Sequence, residues 1–318
     1  MSEQRSQWIA MRDNPTNCIT VDVEDYFHTE AMAGTVRQDQ WDQFPSRVEH
    51  NTRRIFEIFH AHNVRGTFFF LGWVAERFPG LVREAVQLGH EIACHSYWHR
   101  LVYRLTPEQF REDTERAKGA IEEAAGKRIL GYRAPSFSMV KGTEWAMEIL
   151  GDLGFWYDSS IFPIKHDLYG NASAPRTPHL VADGRLIEFP VATLAVASHN
   201  LPVGGGGYFR ILPYAYTRWG LRRLNGTEKL RSIIYIHPWE LDPEQPQLAA
   251  PARSRFRQYT RLQTTAGKLE RLLRDFRFAP IMEAFSGELR SSLSYTANFA
   301  DRETAEQSAF AYEQIGAK

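Results

Sequence analysis

The chain has 318 residues, 43% hydrophobic and 24% charged, enough apolar content to bury one large core. Its 38 basic and 38 acidic side chains cancel, which argues against electrostatic capture of nucleic acid or of an anionic membrane. The two cysteines, Cys18 and Cys94, cannot build a disulfide framework and are expected to be buried free thiols.

The predicted elements alternate between strand and helix. Residues 1–15 are a polar lead-in with no apolar signal-peptide segment, and no apolar run approaches the roughly 18 residues of a membrane span, so a cytoplasmic location is expected. Ile19, Val21 and Val23 alternate with polar positions, the period of a strand. Residues 46–63 carry apolar side chains at helical spacing, and 66–71 is a buried strand. A helix over 79–88 opens at Pro79 and closes at Gly89, followed by a strand over 90–94. Thr106 caps a helix that runs to about Ala125 and stops at Gly126. Strands at 129–132 and 155–157 flank a helix over 142–152. Residues 163–184, with Pro163, Pro175 and Pro178, read as an excursion. Strands are predicted at 186–189 and 193–198. Gly204 to Gly207 reads as a mobile loop or a bulge, because no Gly-Lys-Ser/Thr follows to make a phosphate cradle. A helix over 213–225, a strong strand over 231–236, a Pro-rich loop over 243–251, one amphipathic helix over 256–275 and a closing strand within 278–283 complete the series. The folded unit is expected over 16–285, with a polar extension over 286–318.

Strand–helix alternation at these spacings implies right-handed crossovers and a parallel sheet. Seven or eight strands, with no Gly-x-Gly-x-x-Gly turn, favour an α/β fold of the distorted (β/α) barrel kind, mostly parallel, over a doubly wound sheet. In such a barrel the chemistry gathers at the C-terminal strand ends. The sequence places there Asp22, Glu24 and Asp25; His95 and His99; Arg133-Ala-Pro135; Asp158-Ser-Ser160; and His237-Pro-Trp-Glu240. Each alone has a bland explanation as a cap, a turn or a satisfied core residue. Asp22 and Glu24 share one strand face and can divide metal binding from proton transfer. Asp25 takes the other face and is the rival ligand if the strand ends early. His95 and His99, four apart, share a face if they sit on a helical turn. Cys94 faces away from His95, and His28 reads as a loop residue. An aromatic content of 13% permits a saccharide cleft, with Tyr26 and Trp239 as candidates to line it.

Taken in order, Thr20-Val-Asp-Val-Glu24, His95-x-x-x-His99, Arg133-Ala-Pro135, Asp158-Ser-Ser160 and Ile236-His237 resemble the motifs of the polysaccharide deacetylases that share the NodB homology domain, carbohydrate esterase family four. The Asp-Val-Glu-Asp-Tyr-Phe start and the His-Pro-Trp-Glu end look most like the branch encoded with exopolysaccharide and exosortase (PEP-CTERM) loci. The usual first motif of the family is Thr-Phe-Asp-Asp. Here Val23 follows Asp22, and the one-residue spacing of a minority of members makes Asp22 the base and Glu24 the ligand. The resemblance further implies His95 and His99 as ligands of a divalent metal, zinc first. It implies Arg133 holding Asp22, His237 as general acid oriented by Asp158, and Pro135 near the substrate. A backbone N–H after the first motif would assist the oxyanion. The implied reaction is removal of N-acetyl groups from amino sugars of a bacterial polysaccharide or its precursor. Hydrolysis of another C–N bond, as in an allantoinase or cyclic-imide hydrolase, is the alternative, and an inactive carbohydrate-binding protein a further one. The expected partner is an N-acetylated saccharide, and self-association into a homo-oligomer stays open.

Overall fold

Strand β1 (Asn17–Val23), buried along its whole length, is the strand on which the sheet is built. The structure, a computed structural model, describes residues 15–166 and 169–296. Helix α1 (Val48–Ala61) lays Val48, Ile55, Phe56 and Phe59 on the core, the i, i+3, i+4 spacing of a one-sided helix. Next come β2 (Thr67–Phe70), α2 (Gly72–Arg77), α3 (Pro79–Gln87), which has proline in its first turn, and β3 (Glu91–Cys94). Helix α4 (Pro107–Ala125) starts at a reciprocal Thr106–Gln109 capping box and stops at Gly126 in the left-handed conformation. The chain continues through β4 (Gly131–Tyr132), α5 (Glu144–Asp152), β5 (Tyr157–Asp158), β6 (His179–Val181) and β7 (Leu186–Glu188). The hairpin β8 (Thr193–Val196) and β9 (His199–Pro202) leads into α6 (Gly206–Ile211), α7 (Tyr214–Arg223) and β10 (Ile233–Ile236). Helices α8 (Ala252–Tyr259) and α9 (Leu262–Asp275), β11 (Phe278–Ala279), α10 (Ile281–Ala284) and α11 (Ser286–Thr296) close the described chain.

The main sheet runs β10-β1-β2-β3-β4-β5-β7-β6. Every neighbouring pair up to β7 is parallel, β6 is an antiparallel edge, and β11 pairs with the start of β1. This curled, mostly parallel sheet with helices is the expected fold class, a distorted (β/α) barrel. Residues 190–204 span the gap between β7 and β10 by separate hydrogen bonds: Val191 N to Ile161 O at 3.0 Å, Ala192 N to Ile233 O at 3.1 Å, and Tyr235 N to Gly204 O at 2.7 Å.

Three expectations change. Gly205 is no mobile loop: it bridges to Tyr235, at φ +127°, and a Cβ there would sit 1.9 Å from the Tyr235 carbonyl oxygen. The helix expected over 256–275 is two helices broken at Arg261, which is left-handed at φ 59°. The buried Arg210 guanidinium takes the carbonyls of Arg257 and Thr260 at that break, fixing the bend. The excursion contains an unpredicted strand, since its end forms β6 against β7. The polar extension begins as α11 and, past residue 296, lies outside the described residues, as do residues 1–14 of the lead-in. Cys18 and Cys94 are free and buried, as expected. Among the described residues no helix is long and apolar enough to cross a membrane.

Candidate active site

The C-terminal ends of β1, β3, β4 and β10 meet at one rim. Asp22, Glu24, His95, His99 and His237 line a cleft there of ≈160 Å³, with Phe137, Tyr169 and Tyr235. The strand pattern places the two acids. Asp22 is the penultimate residue of β1, and the chain then tightens, Glu24 N donating to Asp22 O at 3.0 Å. Both side chains enter the cleft and are almost fully buried.

Asp22 Oδ1 lies 2.8 Å from Arg133 Nη1. Arg133 is wholly buried, and the same nitrogen donates to Thr20 Oγ1 at 2.6 Å. Its Nε and Nη2 donate to the Ser159 carbonyl and hydroxyl at 3.0 and 2.9 Å, and its cation lies 4.1 Å from the centre of the Phe69 ring. Every edge of the fork that the structure records is thus committed, so Arg133 holds Asp22 in one place.

The imidazole pair follows β3, but not on a helical turn. Residues 95–99 form a loop in which Ser96 and His99 have positive φ, 64° and 51°, and His99 N donates to Ser96 Oγ at 3.1 Å. Such backbone strain, held by its surroundings, is common where a site must be shaped. His95 Nδ1 sits 2.8 Å from the Arg133 carbonyl, so it carries the proton and leaves the Nε2 lone pair facing inward. Burial pulls the His95 imidazole down to about 4, keeping it neutral. His99 Nε2 lies 2.8 Å from Glu24 Oε2, yet among the described residues that oxygen has no hydrogen-bond partner. Burial alone would raise the Glu24 carboxyl, but His99 and the other imidazoles outweigh it and hold it well below the usual carboxylate range. Ligand atoms of Glu24, His95 and His99 all lie within 4.8 Å of one another. A buried, unsatisfied carboxylate oxygen beside two imidazoles fits a divalent cation: one charge, three donors and an open side.

His237 follows β10 and opens the turn Pro238–Leu241. Its Nε2 lies 3.8 Å from Asp22 Oδ2 and 3.6 Å from Glu24 Oε1. Its Nδ1 lies 3.0 Å from Glu240 Oε2. Burial pulls this imidazole down, but the Glu240 carboxylate and its hydrogen bond, then Glu24 and Asp22, outweigh that and raise it to about 9. Trp239 stacks on His237, rings 5.3 Å apart at 23°, and donates its indole N–H to Glu24 Oε1 at 3.1 Å.

Several expected placements are corrected. Asp158 does not orient His237. Wholly buried, it accepts from Ser160 Oγ and faces its strand partner Glu188, and burial raises its carboxyl to about 6. Asp25 is not a ligand: its Oδ2 accepts from Ser46 Oγ at 2.7 Å and from the amides of Arg47 and Val48 at 2.8 and 3.1 Å, capping the start of α1. Tyr26 is buried beneath the rim with its hydroxyl on the Pro45 carbonyl at 3.3 Å, away from the cleft. Pro135 is buried too, and its neighbours Ser136 and Phe137 line the cleft instead. Trp239 does reach the cleft, but its polar edge is spent on Glu24. The amides of Glu24, Asp25 and Tyr26 are engaged by Asp22 O, His28 Nδ1 and Asp25 Oδ1, so none is free for an oxyanion. Sequence reasoning placed Glu240 at the rim without giving it a role, and missed Arg210. The His237-x-x-Glu240 spacing, that of a capping box, was the available signal.

Residues 40–154 match the family model described as polysaccharide deacetylase, and residues 159–286 match one described as a domain of unknown function, DUF3473. A peptidoglycan-N-acetylglucosamine deacetylase of Bacillus cereus is 30% identical over 98 residues, 30% of this chain and 36% of that protein. A bifunctional xylanase/deacetylase of Pseudobutyrivibrio xylanivorans is 30% identical over 119 residues, 35% of this chain and 19% of that protein. The chain thus aligns with well under half the length of either relative. A solved structure from Mycobacterium smegmatis, described as a candidate polysaccharide deacetylase, superposes with a TM-score of 0.57 at 21% identity, covering 87% of this chain and 92% of that one, a likeness of fold.

Proposed function

Because the chain carries a polysaccharide deacetylase domain of the NodB type, we propose that it hydrolyses N-acetyl groups of amino sugars in a bacterial polysaccharide or its precursor. The observation that carries this reading is the pairing, in one cleft, of the buried Glu24–His95–His99 donor set with the Arg133-held Asp22 and with His237. Glu24, His95 and His99 would hold the metal, and zinc suits one carboxylate and two imidazoles. A divalent ion there supplies Lewis acidity, making water a better nucleophile and an amide carbonyl a better electrophile.

The protein's own groups do the rest. Arg133 holds Asp22 aimed into the cleft, so that Asp22 accepts the proton of the attacking water. His237, protonated, gives a proton from Nε2 to the departing amine nitrogen, which would otherwise leave as an unstable anion. The products are a free amino sugar and acetate. Burial of Asp22 and Glu24 keeps bulk water from competing. The substrate is an N-acetylated saccharide, and the match of residues 159–286 accords with the exopolysaccharide branch.

The test is Asp22→Asn, which removes the base while keeping shape. Acetate release from N-acetylglucosamine oligomers is expected to fall by roughly 10²–10⁴-fold with metal content unchanged. Undiminished release would overturn the assignment of the base. Turnover of a cyclic imide with none of the oligomers would overturn the saccharide reading.

A further inference from the structure

Residues 159–286 match a domain of unknown function, yet they build one wall of the cleft. Glu240 and Arg210 lie in that wall, each about 1% exposed. Glu240 Oε2 accepts from His237 N at 3.1 Å and lies 3.0 Å from His237 Nδ1. Its other oxygen, Oε1, accepts from Arg210 Nε at 3.2 Å. Arg210 is itself pinned: its terminal nitrogens reach the carbonyls of Thr260, at 2.6 Å, and Arg257. Lys268 ties the same α6 segment down through the carbonyls of Arg210 and Leu212, at 2.7 and 2.8 Å. The imidazole is therefore gripped at Nδ1 by Glu240 and on one face by Trp239, with only Nε2 turned toward Asp22 and Glu24.

We propose that Glu240, locked by the buried Arg210, is the positioning residue for His237, and that residues 159–286 form the proton-delivering half of the active site rather than a separate module. The proposal rests on the deacetylase reading. A buried ion pair is a poor stabiliser compared with packed apolar side chains, because desolvation offsets the attraction. Capping the Pro238–Leu241 turn requires only an acceptor for the His237 amide. Glu240 additionally meets Nδ1, which fixes a ring whose other nitrogen must carry the proton to the amine.

The experiment uses the full chain loaded with zinc and two substrates. N-acetylglucosamine oligomers release an amine that must be protonated. In p-nitrophenyl acetate the leaving group departs as a stable anion and needs no proton. With Glu240→Gln, kcat on the oligomers is expected to fall about 100-fold or more with KM changed less than about threefold, while ester hydrolysis falls by less than about threefold. Glu240→Asp restores part of the amide rate. The double variant Arg210→Gln/Glu240→Gln, which leaves no uncompensated buried cation, shows the same split. Equal losses on both substrates, or an unchanged kcat on the oligomers, overturn the proposal. A third readout does not depend on turnover: a low-field imidazole N–H proton resonance, present in the wild type, absent in His237→Ala and expected to be lost in Glu240→Gln. If the wild type releases no acetate from oligomers, the deacetylase reading falls. The resonance then decides Glu240 alone, and its persistence in Glu240→Gln overturns the positioning role.

Discussion

Asp22 and Arg133 are a buried pair of opposite charges 2.8 Å apart, in a place where neither can be replaced by water. Removing one partner of such a pair leaves the other charged, desolvated and alone. Arg133→Met is therefore expected to lower the unfolding free energy by about 3–5 kcal/mol, read from urea denaturation, and to lower acetate release. Adding Asp22→Asn to it is expected to restore much of the stability and none of the activity. A wild-type denaturation midpoint in Arg133→Met would contradict this account of the pair. Residue by residue, legibility followed chain distance. Asp22, Glu24, His95, His99 and His237 stood in the sequence because strand ends announce themselves through alternation and apolar runs. Asp158 misled, because its partner is set by strand register, Tyr157 and Asp158 against Ile187 and Glu188, which no single segment encodes. Tyr26 misled because an aromatic side chain suits a core as well as a cleft, and Pro135 because the motif that carries it faces the cleft through Ser136 and Phe137 instead.

At the scale of elements, α1, β2 and β3 enclose His90, a histidine with a purely structural place. Its ring lies 4.7 Å from that of Phe68 and 5.3 Å from that of Phe56, and its Nδ1 accepts from Gly66 N at 3.4 Å. Burial, helped by Arg65, pulls it down to about 4. The unfolded chain takes up this proton near 6.5 and the folded chain only near 4, so stability is full above about pH 6.5 and falls as the pH drops toward 4. That gap is worth about 3 kcal/mol at about 1.4 kcal/mol per pH unit. His90→Phe is expected to flatten this part of the stability–pH profile, whatever constant offset it adds; an unchanged slope between pH 6.5 and 4 would contradict the assignment. The barrel's seam is the second element-scale case. Gly205 lets the chain touch β10 where a side chain would strike the Tyr235 carbonyl. Gly205→Ala is expected to cost roughly 2–4 kcal/mol in thermal or urea unfolding and to lower activity, because His237 lies two residues beyond Tyr235. An unperturbed variant would mean that the seam is loose. The glycine run could not be read in sequence as a seam, since what it approaches lies some thirty residues away.

On the scale of the whole molecule, the order of strands and helices was readable because crossover spacing and apolar periodicity are local signals. The path of residues 190–204 was not, since it closes the sheet by scattered hydrogen bonds rather than a ladder. That closure gives the two matched segments one rim. Residues 40–154 bring His95, His99 and Arg133, residues 159–286 bring His237 and Glu240, and β1, before both, brings Asp22 and Glu24. On the proposed reading, this shared rim is a metal-assisted deacetylase site. The most direct measurement is acetate release from N-acetylglucosamine oligomers by the purified chain, before chelation, after it, and after zinc is returned. The expected result is release that chelation abolishes and zinc restores in the wild type but not in Glu24→Gln. Release that is indifferent to chelator, or absent from protein shown to carry one zinc per chain, would contradict it.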